Sequence, residues 1–480
     1  MGNIKKGIIW TSGEKLLTQL VQFILGIIIA RLITPQEYGV LGIVLVFINV
    51  AQVFIDSGLG SALIYRNNLD NEDTQTTFSF NFVVSIGLCI LLFVSSPFVE
   101  DFFELVGLSS YLRIASLILV FNSFVIVPTC ILKVKQNFKA ISLANFTSTL
   151  ISGIVGVWMA YGGQGVWALI IQHLLRSVLL MLLISIQCRW LPNFSFYRKS
   201  FEGLWKYSAN LLTSHTLTKV VEEGVSFIIG KSLTPYNLGL FTRGLQFASL
   251  PNGIVGSVLA TVMFPTLSSY KDNEQLFYQT YRKSIIVQSI LIPPIYIGLA
   301  IISEPLVSLL LGEKWMDVVP VLQVFCFGKS IFSLANTTEH ALCSLGYSKI
   351  ALKQQIYKML VKLVLILFAL RWGLMAVVIA NAVADFSAYF ITNICGRKLL
   401  LYSMKQQIKD VCIIILAALF AGACGYLSSK FVNFLLLKIM ITLIISVLVY
   451  VSFLFVMKKL QLNSVKFNGG IHLSSNNKIL

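Results

Sequence analysis

Long apolar runs, cut by short clusters of charge, proline and glycine, follow one another along almost the whole chain. About 20 residues at 1.5 Å rise per residue cross a hydrocarbon layer roughly 30 Å thick, so each such run reads as a membrane helix. The runs fall at 10–32, 39–64, 76–98, 111–132, 140–160, 166–187 and 207–231, then at 238–265, 284–311, 318–345, 350–370, 373–395, 408–428 and 432–457. The pattern predicts an all-α integral membrane protein with about 14 transmembrane helices. The first run carries Glu14, Gln19 and Gln22 and is too long and too polar for a cleaved signal segment, so it is expected to be the first helix.

The pattern also repeats. Leu32-Ile33-Thr34-Pro35-Gln36-Glu37-Tyr38-Gly39 is echoed 200 residues later by Ser232-Leu233-Thr234-Pro235-Tyr236-Asn237-Leu238-Gly239. At an offset of 208, Ser95-Ser96-Pro97 matches Ser303-Glu304-Pro305, and Gly165-Val166-Trp167-Ala168 matches Gly373-Leu374-Met375-Ala376. Echoes in register imply duplication of a six-helix unit. Because six is even, the two lobes would enter the membrane in the same direction, as a parallel repeat with the substrate path between them. The expected organisation is a first lobe over 1–190, a cytoplasmic linker over 191–206, a second lobe over 207–396, two further helices over 397–460 and a polar tail over 461–480.

Composition agrees with a membrane chain: 480 residues, 56% apolar and 12% charged, against about a quarter charged in soluble domains. The net charge of +17 is spread between the apolar runs rather than gathered on one face or tail, so nucleic acid is not an expected partner. Of the 37 Lys and Arg, 25 fall at the N-terminus, in alternate loops and in the tail, 7 on the opposite side and 5 within helices. Since short cytoplasmic loops retain positive charge, both termini are expected in the cytoplasm. The eight cysteines are scattered, with no spacing that suits zinc, and no metal site is expected.

Charge inside the bilayer costs roughly 2.5–3.5 kcal/mol per residue on insertion scales, so each such side chain faces water, a partner or a ligand. The seventh run concentrates them: His215, Thr218, Lys219, Glu222, Glu223 and Ser226 recur at helical spacing as one stripe. The offset of 200 carries the stripe to a milder one around Thr18 and Gln22 in the first run, with Glu14 beside it, and these two helices are expected to line a shared cavity. Two readings stand together here. In one, Lys219 and Glu222 or Glu223 form a structural ion pair. In the other, Lys219 holds an anionic substrate while Glu222 or Glu223 takes up H⁺ or Na⁺, its pKa raised by burial. Arg31, Arg243, Arg176 and Lys329 are further cavity cations, suited to phosphate. Glu339 and Asp385 are further candidates for ion coupling, and Asp56, in Asp56-Ser57-Gly58-Leu59-Gly60, is expected at a structural turn near the cytoplasmic surface.

No GxxxxGK[ST] loop is present, no loop exceeds about twenty residues, and no nucleophile sits with a base at motif spacing, so no catalytic set is expected.

Ala30-Arg31-Leu32-Ile33-Thr34-Pro35-Gln36-Glu37-Tyr38-Gly39, Asp56-Ser57-Gly58-Leu59-Gly60-Ser61-Ala62-Leu63-Ile64, Gly239-Leu240-Phe241-Thr242-Arg243-Gly244-Leu245-Gln246, Leu250-Pro251-Asn252 and Phe264-Pro265-Thr266-Leu267-Ser268 together resemble the polysaccharide-transporter (Wzx-type) family. That family belongs to the multidrug/oligosaccharidyl-lipid/polysaccharide exporter superfamily. The resemblance implies flipping of an undecaprenyl-pyrophosphate-linked oligosaccharide from the cytoplasmic to the outer leaflet of a bacterial inner membrane, for O-antigen, lipopolysaccharide, capsule or another exopolysaccharide. It further implies membrane lipids, a polysaccharide polymerase and a chain-length regulator as partners, and no cofactor beyond H⁺ or Na⁺ as a coupling ion. The alternatives are a drug or metabolite cation antiporter of the same superfamily and a membrane-embedded glycosyltransferase or polymerase.

Overall fold

The structure, a computed structural model, describes residues 2–56, 58–66, 70–256, 263, 265–397, 399–400, 402–430, 432 and 434–464, and among these there is no strand. The first half contains α1 (Gly2–Leu32), α2 (Pro35–Asp56), α3 (Leu59–Arg66), α4 (Asn71–Phe103), α5 (Leu108–Val134), α6 (Phe138–Tyr161), α7 (Val166–Cys188) and α8 (Arg198–Ser232). The second contains α9 (Pro235–Pro251), α10 (Glu274–Leu310), α11 (Val318–Ser344), α12 (Ser348–Ala369), α13 (Leu374–Gly396), α14 (Met404–Ser429) and α15 (Leu435–Ser464). Ten helices among the described residues are long and apolar enough to cross a membrane, which makes this a multi-pass membrane protein. Of the other helices expected from the sequence, the described part of α1 is apolar over Leu17–Leu32, α9 has 17 residues, and α12 carries Lys349, Lys353, Lys358 and Lys362.

The helices run past the apolar segments because polar ends continue the backbone ladder beyond the hydrocarbon. The run at 76–98 becomes Asn71–Phe103, and α8 begins at Arg198 rather than near 207. Two expected helices are interrupted. The run at 39–64 ends as α2 at Asp56 and resumes as α3 at Leu59, with Gly58 at φ +73°, a conformation that favours glycine. The run at 238–265 stops at Pro251 and passes into a π-helical turn over Asn252–Gly256; residues 257–262 lie outside the described residues, as does the tail from 465. The eight cysteines form no disulfide.

By contacts the chain forms two compact units, the first made of 1–249, 310–325 and 355–384 and the second of 250–309, 326–354 and 385–480. In a bilayer, helix packing depends on close approach and shape more than on apolar burial, and small residues allow that approach. In the first unit α6 buries Ala140, Ala144, Ser148, Ser152, Gly156 and Ala160, a stripe at every fourth position. A Cβ on neighbouring Gly153 would lie 2.2 Å from Leu25 Cδ1 of α1. Rings of Phe78, Phe82, Phe124, Trp190 and Phe194 pack with centroids 5.1–5.7 Å apart. Gln75, Thr76 and Ser79 of α4 hydrogen-bond the backbone of Asn193, Tyr197 and Ser195, which ties the segment before α8 to α4. In the second unit Gly422 and Gly425 of α14 play the part of Gly153, each placed where a Cβ would meet α10 or α15 within 2.6 Å.

The duplicated motif explains itself within the first unit. Thr34 caps α2: its hydroxyl accepts from Glu37 N at 3.3 Å, while the Glu37 carboxylate accepts from Thr34 N at 2.7 Å, a reciprocal capping box. Pro35 occupies the first helical position, where its fixed φ and missing N–H cost nothing. The second copy repeats the cap with Thr234 Oγ1 accepting from Asn237 N at 3.2 Å. Gly39 and Gly239, five residues past each threonine, are where α2 and α9 cross. A Cβ on Gly39 would lie 1.7 Å from the Pro235 carbonyl oxygen, and one on Gly239 would lie 1.8 Å from the Pro35 carbonyl oxygen. Beside the crossing, Trp315 Nε1 donates to the Ala30 carbonyl at 2.8 Å, and Tyr236 Oη donates to Asp317 Oδ2 at 2.7 Å; that carboxylate is the main reason the Tyr236 phenol is pushed up to about 12.

Because the obstructing atoms are backbone, Gly39→Ala and Gly239→Ala each force the helices apart. Overpacking costs about 1–3 kcal/mol, so each variant is expected to unfold at least a few degrees below the parent in a detergent thermal scan. Gly87→Ala, where a Cβ would meet nothing within 4 Å, is expected to leave the midpoint unchanged or raise it slightly.

Candidate functional site

Beyond its first turn, α2 is apolar except for a polar row at helical spacing, Asn49, Gln52 and Asp56. Each member finds a partner. Asn122 Nδ2 of α5 donates to Gln52 Oε1 at 2.8 Å, Gln52 Nε2 donates to Asp56 Oδ1 at 3.0 Å, and Asn49 Nδ2 donates to Glu223 Oε1 of α8 at 2.9 Å. The same Glu223 oxygen lies 3.0 Å from Lys219 Nζ, and Glu222 Oε2 lies 3.5 Å from it. One ammonium is thus shared by two carboxylates on its own helix. The stripe read on the seventh run is therefore a cluster with a partner on α2: the Glu223 side chain is 14% exposed and fixed by Asn49, whereas the Glu222 side chain is 58% exposed and lies against Lys219.

Asp56, Lys133, Lys219 and Glu222 border a cavity of about 510 Å³ within the first unit, between the end of α2, α3, α5 and α8. Gly58, Gly60 and Ser61 also border it, so the α2–α3 break contributes backbone as well as side chains to the wall. The four charges balance two against two, and the volume suits a small ligand or one part of a large one.

The other sequence candidates lie elsewhere. Arg243 is 6% exposed; its guanidinium donates to Gln246 Oε1 at 2.7 Å and to the Gly26 carbonyl at 3.2 Å and stacks 3.9 Å over the Tyr38 ring. It locks α9 to α1 and α2 beside the glycine crossing. Arg31 is exposed, its Nε donating to the Leu310 carbonyl at 2.8 Å. Arg176 is half-buried in α7, one turn from His173. Thr18 is buried, Gln22 exposed and Ser226 half-buried, while the side chains of Glu14, His215 and Thr218 lie outside the described residues. In the second unit Lys329 Nζ and Asp385 Oδ2 form a 2.8 Å ion pair, their side chains 15% and 6% exposed, and Glu339 is half-buried on α11. Sequence reasoning passed over Asn49, Gln52 and Asn122 and left Lys133 in a loop and Asp56 at a turn. The usable signal was three polar residues on one face of an apolar α2.

A family model described as a polysaccharide biosynthesis protein matches residues 28–320, well over half the chain. The chain belongs to that family. It is 25% identical over 337 residues to the succinoglycan biosynthesis transport protein ExoT of Rhizobium meliloti strain 1021, a match covering 70% of this chain and 68% of that protein. It is 22% identical over 339 residues to the lipopolysaccharide biosynthesis protein WzxC of Escherichia coli K12, covering 69% and 68%. Among solved structures, the lipid II flippase MurJ in an inward closed conformation superposes with a TM-score of 0.76 at 16% identity, covering 95% of this chain and 99% of that one. An inward-facing multidrug resistance MATE family transporter of the MOP superfamily gives 0.64 at 15% identity, covering 80% and 94%. The fold is that of all-α membrane transporters.

The buried Lys329–Asp385 pair yields a stability test. Removing one partner of a buried pair strands the other charge and costs about 3–5 kcal/mol, whereas replacing both with apolar groups is often neutral. Lys329→Met is expected to lower the thermal midpoint in detergent strongly, and Lys329→Met/Asp385→Leu to recover most of the loss. A double variant no better than the single would show that the two charges do not depend on one another.

Proposed function

We propose that this protein flips a lipid-linked oligosaccharide, undecaprenyl diphosphate carrying a repeat unit for O-antigen, capsule or exopolysaccharide, from the cytoplasmic to the outer leaflet of a bacterial inner membrane. Its membership of the polysaccharide biosynthesis family carries the reading, and the two relatives named for succinoglycan transport and lipopolysaccharide biosynthesis support it. The fold shared with a lipid II flippase adds that the architecture suits a lipid-borne cargo. The protein is a transporter and not an enzyme.

The diphosphate requires cations, and the first unit's cavity offers Lys219 and Lys133. In the resting arrangement Lys219 is engaged by Glu222 and Glu223. Uptake of H⁺ or Na⁺ by this acidic pair removes the excess negative charge and frees the ammonium for a phosphate oxygen; its release recaptures Lys219 and ejects the anion. The bias of Lys and Arg along the chain supports a cytoplasmic side for both termini and for the Lys133 end of the cavity. The duplicated Thr-Pro motif supports two lobes that rock about a shared axis to expose the site to each leaflet in turn. A polymerase and a chain-length regulator would receive the cargo on the far side. One observation favours a second reading, a cation antiporter: Asp56 and Glu222 match Lys133 and Lys219 in number, so the cavity has no cationic excess.

Translocation of undecaprenyl-diphosphate oligosaccharide in proteoliposomes, with and without H⁺ or Na⁺ gradients, separates these readings. Gradient-dependent flipping is expected, reduced at least tenfold in Lys219→Ala and made gradient-insensitive in Glu222→Gln/Glu223→Gln, since losing a charge-assisted phosphate contact costs about 1.5–3 kcal/mol. Flipping untouched by these variants would reduce the cluster to a structural pair. No flipping by the parent protein, with gradient-driven uptake of organic cations instead, would put the antiporter first.

A further inference from the structure

In the second unit one face of α14 is uncovered from end to end. Lys405, Lys409, Cys412, Leu416, Phe420 and Ala423 are exposed at spacings of three or four, whereas Ala417, Ala421 and Gly422 on the other side pack against α10 and α15. The uncovered row is apolar between two charged ends. Lys409 and Lys430 are 21 positions apart, about 32 Å at 1.5 Å per residue, close to the roughly 30 Å of a hydrocarbon layer. The two lysines therefore stand at the headgroup levels, and the apolar residues between them face acyl chains.

Charge is unequal between these ends. At one, the Lys430 ammonium sits 5.3 Å over the Tyr426 ring. At the other, Lys405 and Lys409 stand one turn apart on α14, and α10 adds exposed Arg282 and Lys283. Arg282 Nε donates to Asp410 Oδ2 at 2.8 Å, which joins the two helices there and engages the one carboxylate that α14 carries. Among the described residues, Lys283, Lys405 and Lys409 form no ion pair. α15 runs back antiparallel to α14, since a Cβ on Gly425 would meet Thr442 and Ser446. That register carries positions 458 and 459, both lysine, level with Asp410.

Lysines anywhere in a short loop satisfy the charge bias of membrane insertion. Lys409 instead heads the row that faces acyl chains, so its ammonium lies at the phosphate level of the lipids whose tails cover Cys412, Leu416 and Phe420. An anionic bilayer lipid brings the counter-charge that neighbouring carboxylates do not supply. A free phosphate would meet the cations and leave the apolar row beneath them unused. We propose that the Lys405 end of α14, beside the Arg282–Asp410 bridge, binds an anionic phospholipid, its headgroup phosphate held by Lys405 and Lys409 and its chains laid along the uncovered face.

Native mass spectrometry of the full chain in detergent, with phosphatidylglycerol or phosphatidylcholine added, counts bound lipids and chain copies together. The parent protein is expected to retain phosphatidylglycerol at least fivefold more tightly, about fivefold being the worth of one lysine near a charged surface. Lys405→Gln/Lys409→Gln is expected to bring that ratio near one, and Lys405→Arg/Lys409→Arg to keep it. Lys409→Gln alone is expected to lower it part-way, which keeps the test open if the paired variant does not fold. Lys430→Gln, at the other end of the same face, leaves it unchanged. Without added lipid the thermal midpoints stay together, because every substituted side chain is exposed; with phosphatidylglycerol only proteins that keep both charges gain. A parent protein without preference overturns the proposal, as does a ratio that the Gln variants leave unchanged. Inorganic phosphate that stabilises the parent but not the paired Gln variant makes this a free-anion site, and a second copy of the chain in place of lipid makes the face an interface; each equally overturns it.

Discussion

Two glycines, one in each copy of a repeated eight-residue motif, let α2 and α9 cross with backbone against backbone. Each glycine lies where a Cβ would run into the carbonyl of the other copy's proline, and the relation is reciprocal: Gly39 against Pro235, Gly239 against Pro35. Lipid tails are as apolar as leucine, so close approach supplies cohesion that burial of apolar surface gives in water. The first unit is organised from that point. Four residues past Gly239, Arg243 stacks on Tyr38 and reaches the Gly26 carbonyl of α1. Tyr38 in turn meets Trp315 edge-on at 5.4 Å. In the other direction α2 runs uninterrupted from Gly39 to Asp56 and carries Asn49 to Glu223 and Gln52 to Asp56. A shift at the crossing would displace every polar contact along that helix.

The sequence made the helices legible because the bilayer demands them: backbone groups without water must pair within the segment, and apolar length reports the span. It also displayed the repeated motif without its meaning. Thr34, Pro35 and Glu37 can be read as a helix start from chemistry alone, since cap, fixed φ and reciprocal carboxylate are local. Gly39 could not be assigned, because its requirement comes from a helix 200 residues away in the chain. A turn was expected at Asp56, yet both runs were carried on through their breaks, for a related reason. Gly58 and Pro251 lie inside apolar stretches, and a hydropathy count carries on through a residue whose φ or missing N–H ends the regular ladder.

Charged positions were easier to find than to interpret. Lys219, Glu222 and Glu223 stood out as ionisable groups at helical spacing, and they do meet. Arg243 stood out equally, yet its guanidinium is enclosed by Tyr38, Gln246 and the Gly26 carbonyl. Sequence depth cannot separate a cation held by an aromatic ring and a carbonyl from one facing a cavity, because both avoid lipid in the same way. Asn49, Gln52 and Asn122 went unnoticed because they are neutral, although their hydrogen bonds set the orientation of two of the cluster's carboxylates, those of Glu223 and Asp56.

The sharing of Lys219 between two unequal carboxylates bears directly on the proposed transport cycle. A lysine paired with one buried carboxylate is neutral and inert, and opening it leaves uncompensated buried charge. A second carboxylate leaves the cluster with one negative charge in excess, which in the proposed cycle a small cation would neutralise. The two acids divide the work by environment. Glu223, nearly enclosed and held by Asn49, lies 3.0 Å from Lys219; Glu222 is more exposed and lies at 3.5 Å. In the proposed cycle, neutralising Glu222 would leave an ammonium oriented by one fixed partner and open toward the cavity it shares with Lys133, the arrangement that a diphosphate cargo would need.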